Sequence, residues 1–286
     1  MKVGVLVALG HEAGRPEFLE ELGPALEQRG FESLWVPEHV VLFDSYRSRY
    51  PYTPDGSVPI PPDLGLLDPF VGLTYVAART STLRLGTGIC LVGQRNPVYT
   101  AKQVADLDVL SRGRVEFGVG LGWLREEYEV LGMPWERRGA RTDDHLRVLK
   151  TLWTDPVSAH AGEYYRLPEC RMYPKPLQDP YPPLHVGGES DAALRRAVLH
   201  GDGWFGMGHR HDQLPAQLSR IDRMLAEHGR GRDSFTVTIS PPPDGVDQDT
   251  VARYAEQGVD RLVVSAIARD RDELLRSLDA LQKQTI

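Results

Sequence analysis

Short apolar runs bounded by turn residues recur along the chain: Val3 to Leu9, Ser33 to Val36, Leu83 to Val92, Val115 to Leu121, Leu184 to Val186, Trp204 to Met207, Phe235 to Ile239 and Arg261 to Ala266. Most are continuously apolar rather than alternating, the pattern of a strand covered on both faces of a parallel sheet. Between them, apolar residues return at helical spacing. Phe18, Leu22, Ala25 and Leu26 follow Pro16 and stop before Gly30, which predicts a helix with ordinary start and stop chemistry. Val104, Leu107 and Leu110 precede Gly113, and Leu146, Leu149 and Trp153 follow Thr142-Asp143. Leu214, Leu218, Ile221 and Leu225 precede Gly229, and Leu274, Leu278 and Leu281 close the chain. Eight strands alternating with helices predict an α/β fold, a (β/α)8 TIM barrel.

The length of 286 residues agrees, since this architecture routinely exceeds 250 residues as one unit. No linker or longer repeat divides the chain, so residues 1–286 are read as a single domain. Two connections are longer than the rest, 42–67 and 155–182, both rich in Pro; they predict insertions after strands 2 and 4. Loops that follow the C-terminal ends of barrel strands form the catalytic face. Phe43, Tyr46, Tyr50 and Tyr52 of the first insertion are therefore substrate-pocket candidates, against the plainer reading that they pack a surface loop.

Composition narrows the classes. Acidic residues outnumber basic ones, 40 to 33, without any Lys/Arg block, which argues against nucleic acid and an anionic membrane as partners. The opening MKVGVLVAL is too short to span a bilayer and reads as the first strand. Cys90 and Cys170 form no motif, which fits a reducing cytoplasm.

Candidate chemistry falls where a barrel would place it. Glu38 and His39 end the second strand, and an imidazole beside a carboxylate moves protons near neutral pH. Adjacent residues of an extended strand point oppositely, so the spacing leaves open which of the two faces a ligand. Gly86-Thr87-Gly88-Ile89 and Gly118-Val119-Gly120-Leu121-Gly122-Trp123 end strands three and four, where glycines let a flat ring approach the backbone. The second run fails as a dinucleotide fingerprint, with no glycine at its sixth position. Gly187-Gly188-Glu189-Ser190 opens a helix beginning at Asp191, so its N–H groups and the helix dipole suit a phosphate, with a plain tight turn as the alternative. His209-Arg210-His211 with His11, His39 and His185 raises a metal site, but the HxH pair falls after strand six rather than strand one, and no metal ligands are assigned.

These segments resemble the luciferase-like monooxygenases, and within them the deazaflavin-dependent oxidoreductases. The resemblance rests on GFESLWVPEH at 30–39, LRLGTGICLVGQRNP at 83–97, SRGRVEFGVGLGWLREEYEVLG at 111–132 and LHVGGES at 184–190. It implies hydride transfer between coenzyme F420 and an organic small molecule, with FMN and monooxygenase chemistry as the alternative. It also implies a non-prolyl cis bond at Gly88-Ile89 with Ile89 against the ring, Glu38 on a polar ring edge and His39 on the substrate side. Gly120, Leu121 and Gly122 would lie near the ring, Gly187, Gly188 and Glu189 at the phosphate, and Trp123 in the substrate pocket. A homodimer is expected by resemblance alone. Glu38 stands where related deazaflavin enzymes often carry Asp, and Trp123 stands where sugar-phosphate dehydrogenases carry Glu, so an apolar or aromatic substrate is expected. A silent cofactor-binding barrel and a metal hydrolase remain as readings from other classes.

Overall fold

Each of the eight apolar runs contributes a stave to one closed parallel barrel. In this computed structural model, which describes residues 1–242, 246–268 and 270–286, the first half contains β1 (Lys2–Leu6), α1 (Pro16–Gln28), β2 (Ser33–Val36), α2 (Pro69–Ala77), β3 (Arg84–Thr87), β4 (Cys90–Leu91), α3 (Pro97–Leu110), β5 (Val115–Gly120), α4 (Arg125–Val130) and α5 (Arg138–Thr154). The second half contains β6 (Ser158–Ala161), β7 (Arg166–Cys170), β8 (Leu184–Gly187), α6 (Asp191–His200), β9 (Gly203–Met207), α7 (Leu214–Glu227), β10 (Thr236–Ser240), α8 (Gln248–Glu256), β11 (Arg261–Ser265) and α9 (Arg271–Thr285). The strands run β3-β2-β1-β11-β10-β9-β8-β5, and pairing of β3 with β5 closes the ring. The third stave is broken: β3 stops at Thr87, the Gly88-Ile89 peptide is cis, and β4 resumes with Cys90 opposite Val119.

Alternation along the staves explains the continuous apolar pattern. Leu34, Leu85, Phe117, Val186, Val237 and Leu262 pack into the large core shared with the helices. Trp35, Phe205 and Val263, with Leu6 and Ile89, form a separate cluster inside the barrel. A charged layer adjoins it. Glu116 accepts hydrogen bonds from Arg261 and His185, and Arg261 forks onto Glu32 at 2.8 and 2.9 Å. Burial alone would raise the Glu116 carboxyl, but His185, Arg261 and Arg84 hold it well below the usual carboxylate range.

The differences from expectation have local causes. β1 ends at Leu6, not Leu9. Thr142-Asp143 do not begin a helix but lie inside α5, which starts at Arg138 after Arg137 adopts a left-handed φ of 55°. α2 is apolar nearly all round and so shows no stripe; Asp68 caps it and Pro69 opens it. Residues 37–68 contain no helix or strand and follow β2 directly. The second long connection instead follows α5 and folds as the antiparallel β6–β7 hairpin. It is held to α5 by buried Asp144, which accepts from Tyr164 N, Tyr165 N and His160 Nε2.

Candidate active site

Where β2 ends, Pro37-Glu38-His39 enter the wall of a cavity of about 520 Å³ at the C-terminal mouth of the barrel. Its floor is apolar. Ile89, thrown inward by the break in the third stave, lies over Gly120, where any side-chain carbon would displace its tip, and its tip is 3.0 Å from the position of a side-chain carbon on Gly187, a tight fit. Gly86 likewise admits the Trp35 ring and Gly118 the Thr87 carbonyl. Gly86, Gly118 and Gly120 therefore allow close approach by protein groups, while Gly187 also lines the cavity. Gly120 lies beneath Ile89 and does not line the cavity, whereas Gly88, Ile89, Leu121 and Gly122 do.

His39 is held from behind. Its Nδ1 lies 2.9 Å from Oε2 of Glu127, a fully buried residue in the first turn of α4. The same carboxylate accepts from Gln94 Nε2 at 3.0 Å and from the N–H groups of Val40 and Val41 at 2.6 and 3.2 Å. Burial raises the Glu127 carboxyl, yet the hydrogen bonds from His39, Gln94 and Val40 leave it below its ordinary value. Glu126 beside it accepts from Arg47 N and Ser48 N, so two consecutive carboxylates anchor the 37–68 loop to α4.

Glu38 is tied to the wall. One carboxylate oxygen accepts from Leu91 N at 2.6 Å and the other from Arg95 Nε at 2.7 Å, and Arg95 also pairs with Asp68. Resemblance places Glu38 on a ring edge; here its charge is already answered by a protein cation.

Trp123 stands among aromatic edges: Tyr46 and Tyr50 each lie 5.3 Å away between ring centroids and His39 lies 5.9 Å away. Tyr50, Tyr52 and Trp123 line the cavity, but Tyr46 and half-buried Phe43 do not. The Tyr46 hydroxyl instead accepts from Val58 N and braces the loop.

The opposite end is positive. Gly187, Gly188 and Ser190 meet Arg137, Arg138 and Arg196 there, at the N-terminus of α6. Gly188 has φ +108°, and a side-chain carbon on it would stand 3.0 Å from Ala193. Arg196 pairs with Asp143 and Arg137 with Glu163. Arg138 stacks 3.6 Å over the Trp135 ring and, among the described residues, pairs with no carboxylate. Glu189 does not line the cavity; it turns away to Met207 N and His209. Of the other histidines raised as metal ligands, His185 meets Glu116, His211 meets Arg253 and His11 meets the Asp63 carbonyl.

Sequence reasoning brought out His39, Trp123, Tyr50, Tyr52, Ile89 and the Gly187-Gly188 turn. It missed Glu127, Gln94, Arg95, Arg138, Arg196, Phe205 and Met207. Glu127 carried one usable signal, a second acid in the first turn of a helix just past Trp123; the arginines carried none.

A family model described as luciferase-like monooxygenase matches residues 1–263. An uncharacterized protein of Mycobacterium tuberculosis is 34% identical over 247 residues, 86% of this chain and 84% of its own. An FMNH(2)-dependent dimethylsulfone monooxygenase of Pseudomonas putida is 31% identical over 195 residues, 67% of this chain and 51% of its own. Among solved structures, the coenzyme F420 dependent tetrahydromethanopterin reductase of Methanopyrus kandleri superposes with a TM-score of 0.78 at 15% identity, covering 99% of this chain and 98% of its own.

Proposed function

The chain belongs to the luciferase-like monooxygenase family, and from that premise we propose that this oxidoreductase uses coenzyme F420 to exchange hydride with a neutral organic substrate. The observation that carries the proposal is the polarity of one cavity: an arginine-lined stretch beside the α6 N-terminus, an apolar floor and a histidine–carboxylate pair in its wall.

That cavity fits a flat ring bearing an anionic tail. Ile89 and Leu121 offer apolar area to the ring. Gly188, Ser190 and the α6 N-terminus offer donors to a phosphate, and Arg138 adds a cation not committed to a carboxylate. A deazaflavin tail carries carboxylates beyond its phosphate, and exposed Arg137 extends the positive end toward solvent. When bound, the reduced group supplies a hydride. His39 holds or gives up the accompanying proton, while Trp123, Tyr50 and Tyr52 orient the substrate by contact and shield it from water. The second reading, oxygen activation by reduced FMN, draws on the same phosphate end and on the similarity to the dimethylsulfone monooxygenase.

Replacing His39 by Ala tests the assignment. A general acid–base residue contributes about 100- to 10,000-fold. Single-turnover oxidation or reduction of the bound cofactor should slow by that factor, with cofactor affinity nearly unchanged. A near-native rate removes His39 from the mechanism.

A further inference from the structure

Four hydrogen bonds converge on the Glu127 carboxylate: His39 Nδ1, Gln94 Nε2, Val40 N and Val41 N. The two backbone groups and the Gln94 amide nitrogen are donors by their chemistry. An ionised carboxylate offers only lone pairs, so the fourth partner must also bring a proton. Glu127 is fully buried, and its hydrogen bonds outweigh the burial that opposes its charge. The proton of a neutral His39 ring therefore sits on Nδ1, and Nε2 carries the free lone pair.

We infer that Glu127 is a positioning residue that fixes His39 as its Nδ1–H tautomer, leaving Nε2 as the one ring nitrogen that exchanges protons with the substrate. The inference rests on the proposed role of His39. It assigns direction to the atoms: the neutral ring accepts at Nε2, and the imidazolium donates from Nε2 with Glu127 stabilising the charge behind it. It also explains why one side chain binds both the imidazole and the two following N–H groups. The ring and the start of the 37–68 loop are located by a single carboxylate, so neither shifts without the other.

Glu127→Gln separates this role from that of a loop brace. The amide oxygen keeps the acceptor for Val40 and Val41, while the amide nitrogen takes the place that faces His39 and Gln94 and becomes a donor to both, the Gln94 amide turning its oxygen inward to accept. The ring must then accept at Nδ1 and carry its proton on Nε2, which is the wrong state for a base.

The experiment is long-range ¹⁵N–¹H NMR of histidine-labelled protein at a pH where His39 is neutral, its signals assigned by their loss in His39→Gln. Wild type should show His39 protonated on Nδ1, and Glu127→Gln should show it on Nε2. Single-turnover rate should fall about as far as in His39→Ala, by 100-fold or more and up to about 10,000-fold, the scale seen when a catalytic histidine is held in the wrong tautomer, with cofactor affinity within two-fold.

An Nε2–H signal in the wild type overturns the inference without need of any variant, and so does an unchanged tautomer in Glu127→Gln. A switched tautomer with unchanged turnover leaves the lock standing and overturns the catalytic role of His39 instead.

Discussion

Arg95→Met removes the cation that answers Glu38, and with it the guanidinium that stands 4.9 Å over the Phe70 ring, while an apolar side chain of similar reach takes its place. The Glu38 carboxylate is 2% exposed, and after the substitution it keeps the hydrogen bond from Leu91 N but faces no cation among the described residues. Removing one partner of a buried pair costs about 3–5 kcal/mol, because the survivor is a desolvated charge. Asp68 also loses its partner, but it is 36% exposed, so water replaces the contact at little cost. For a chain of this size each kcal/mol shifts the melting temperature by roughly 2 °C, so Arg95→Met should melt about 6–10 °C lower by calorimetry. Glu38→Gln in the same background removes the stranded charge and should recover at least half of that loss. The two substitutions should thus be strongly non-additive. A drop below 2 °C for Arg95→Met, or no recovery in the double variant, refutes the claim that Glu38 is held by a protein cation and returns it to the ring edge that family resemblance implies.

Two further outcomes follow from the same geometry. Gly188→Val forces a branched side chain into a left-handed backbone 3.0 Å from Ala193; it should cost roughly 1–3 kcal/mol of stability and weaken cofactor binding at least ten-fold by titration, and unchanged affinity would return Gly187-Gly188 to a plain turn. His145 is fully buried, and burial, Arg141 and Arg95 push its pKa down to about 3; the unfolded chain, with an ordinary histidine near 6.5, binds the extra proton as pH falls, so the native state loses about 2 kcal/mol from this group between pH 7 and pH 5. Urea titrations at the two pH values should show that loss in wild type and a flatter response in His145→Phe, whereas equal slopes would mean that His145 stays solvated.

The parts of this protein legible in its sequence are those that obey a short period. Leu34 and Trp35 are both apolar because one faces the helices and the other the barrel interior, so the strand reads as a continuous run. The Gly187-Gly188 turn was legible because a helix cap follows it in Ser190. Charged partners across the fold were not legible: His39 and Glu127 are 88 residues apart, and Glu38 and Arg95 are 57 apart. Nothing local distinguishes such an arginine or glutamate from a solvated one. The glycines at the strand ends show the opposite failure. Their freedom was read correctly as close approach, but Gly120 and Gly86 admit Ile89 and Trp35, side chains whose inward aim only the closed barrel sets.

The central claim is that the cavity holds a deazaflavin, and a fluorescence titration of the purified protein with coenzyme F420 and with FMN, side by side at one ionic strength, tests it most directly. The account predicts at least ten-fold tighter binding of F420, about 1.4 kcal/mol, because Arg138, which pairs with no carboxylate among the described residues, and the α6 N-terminus would favour the longer anionic tail. Equal or reversed affinities would contradict it and leave the flavin monooxygenase reading in its place.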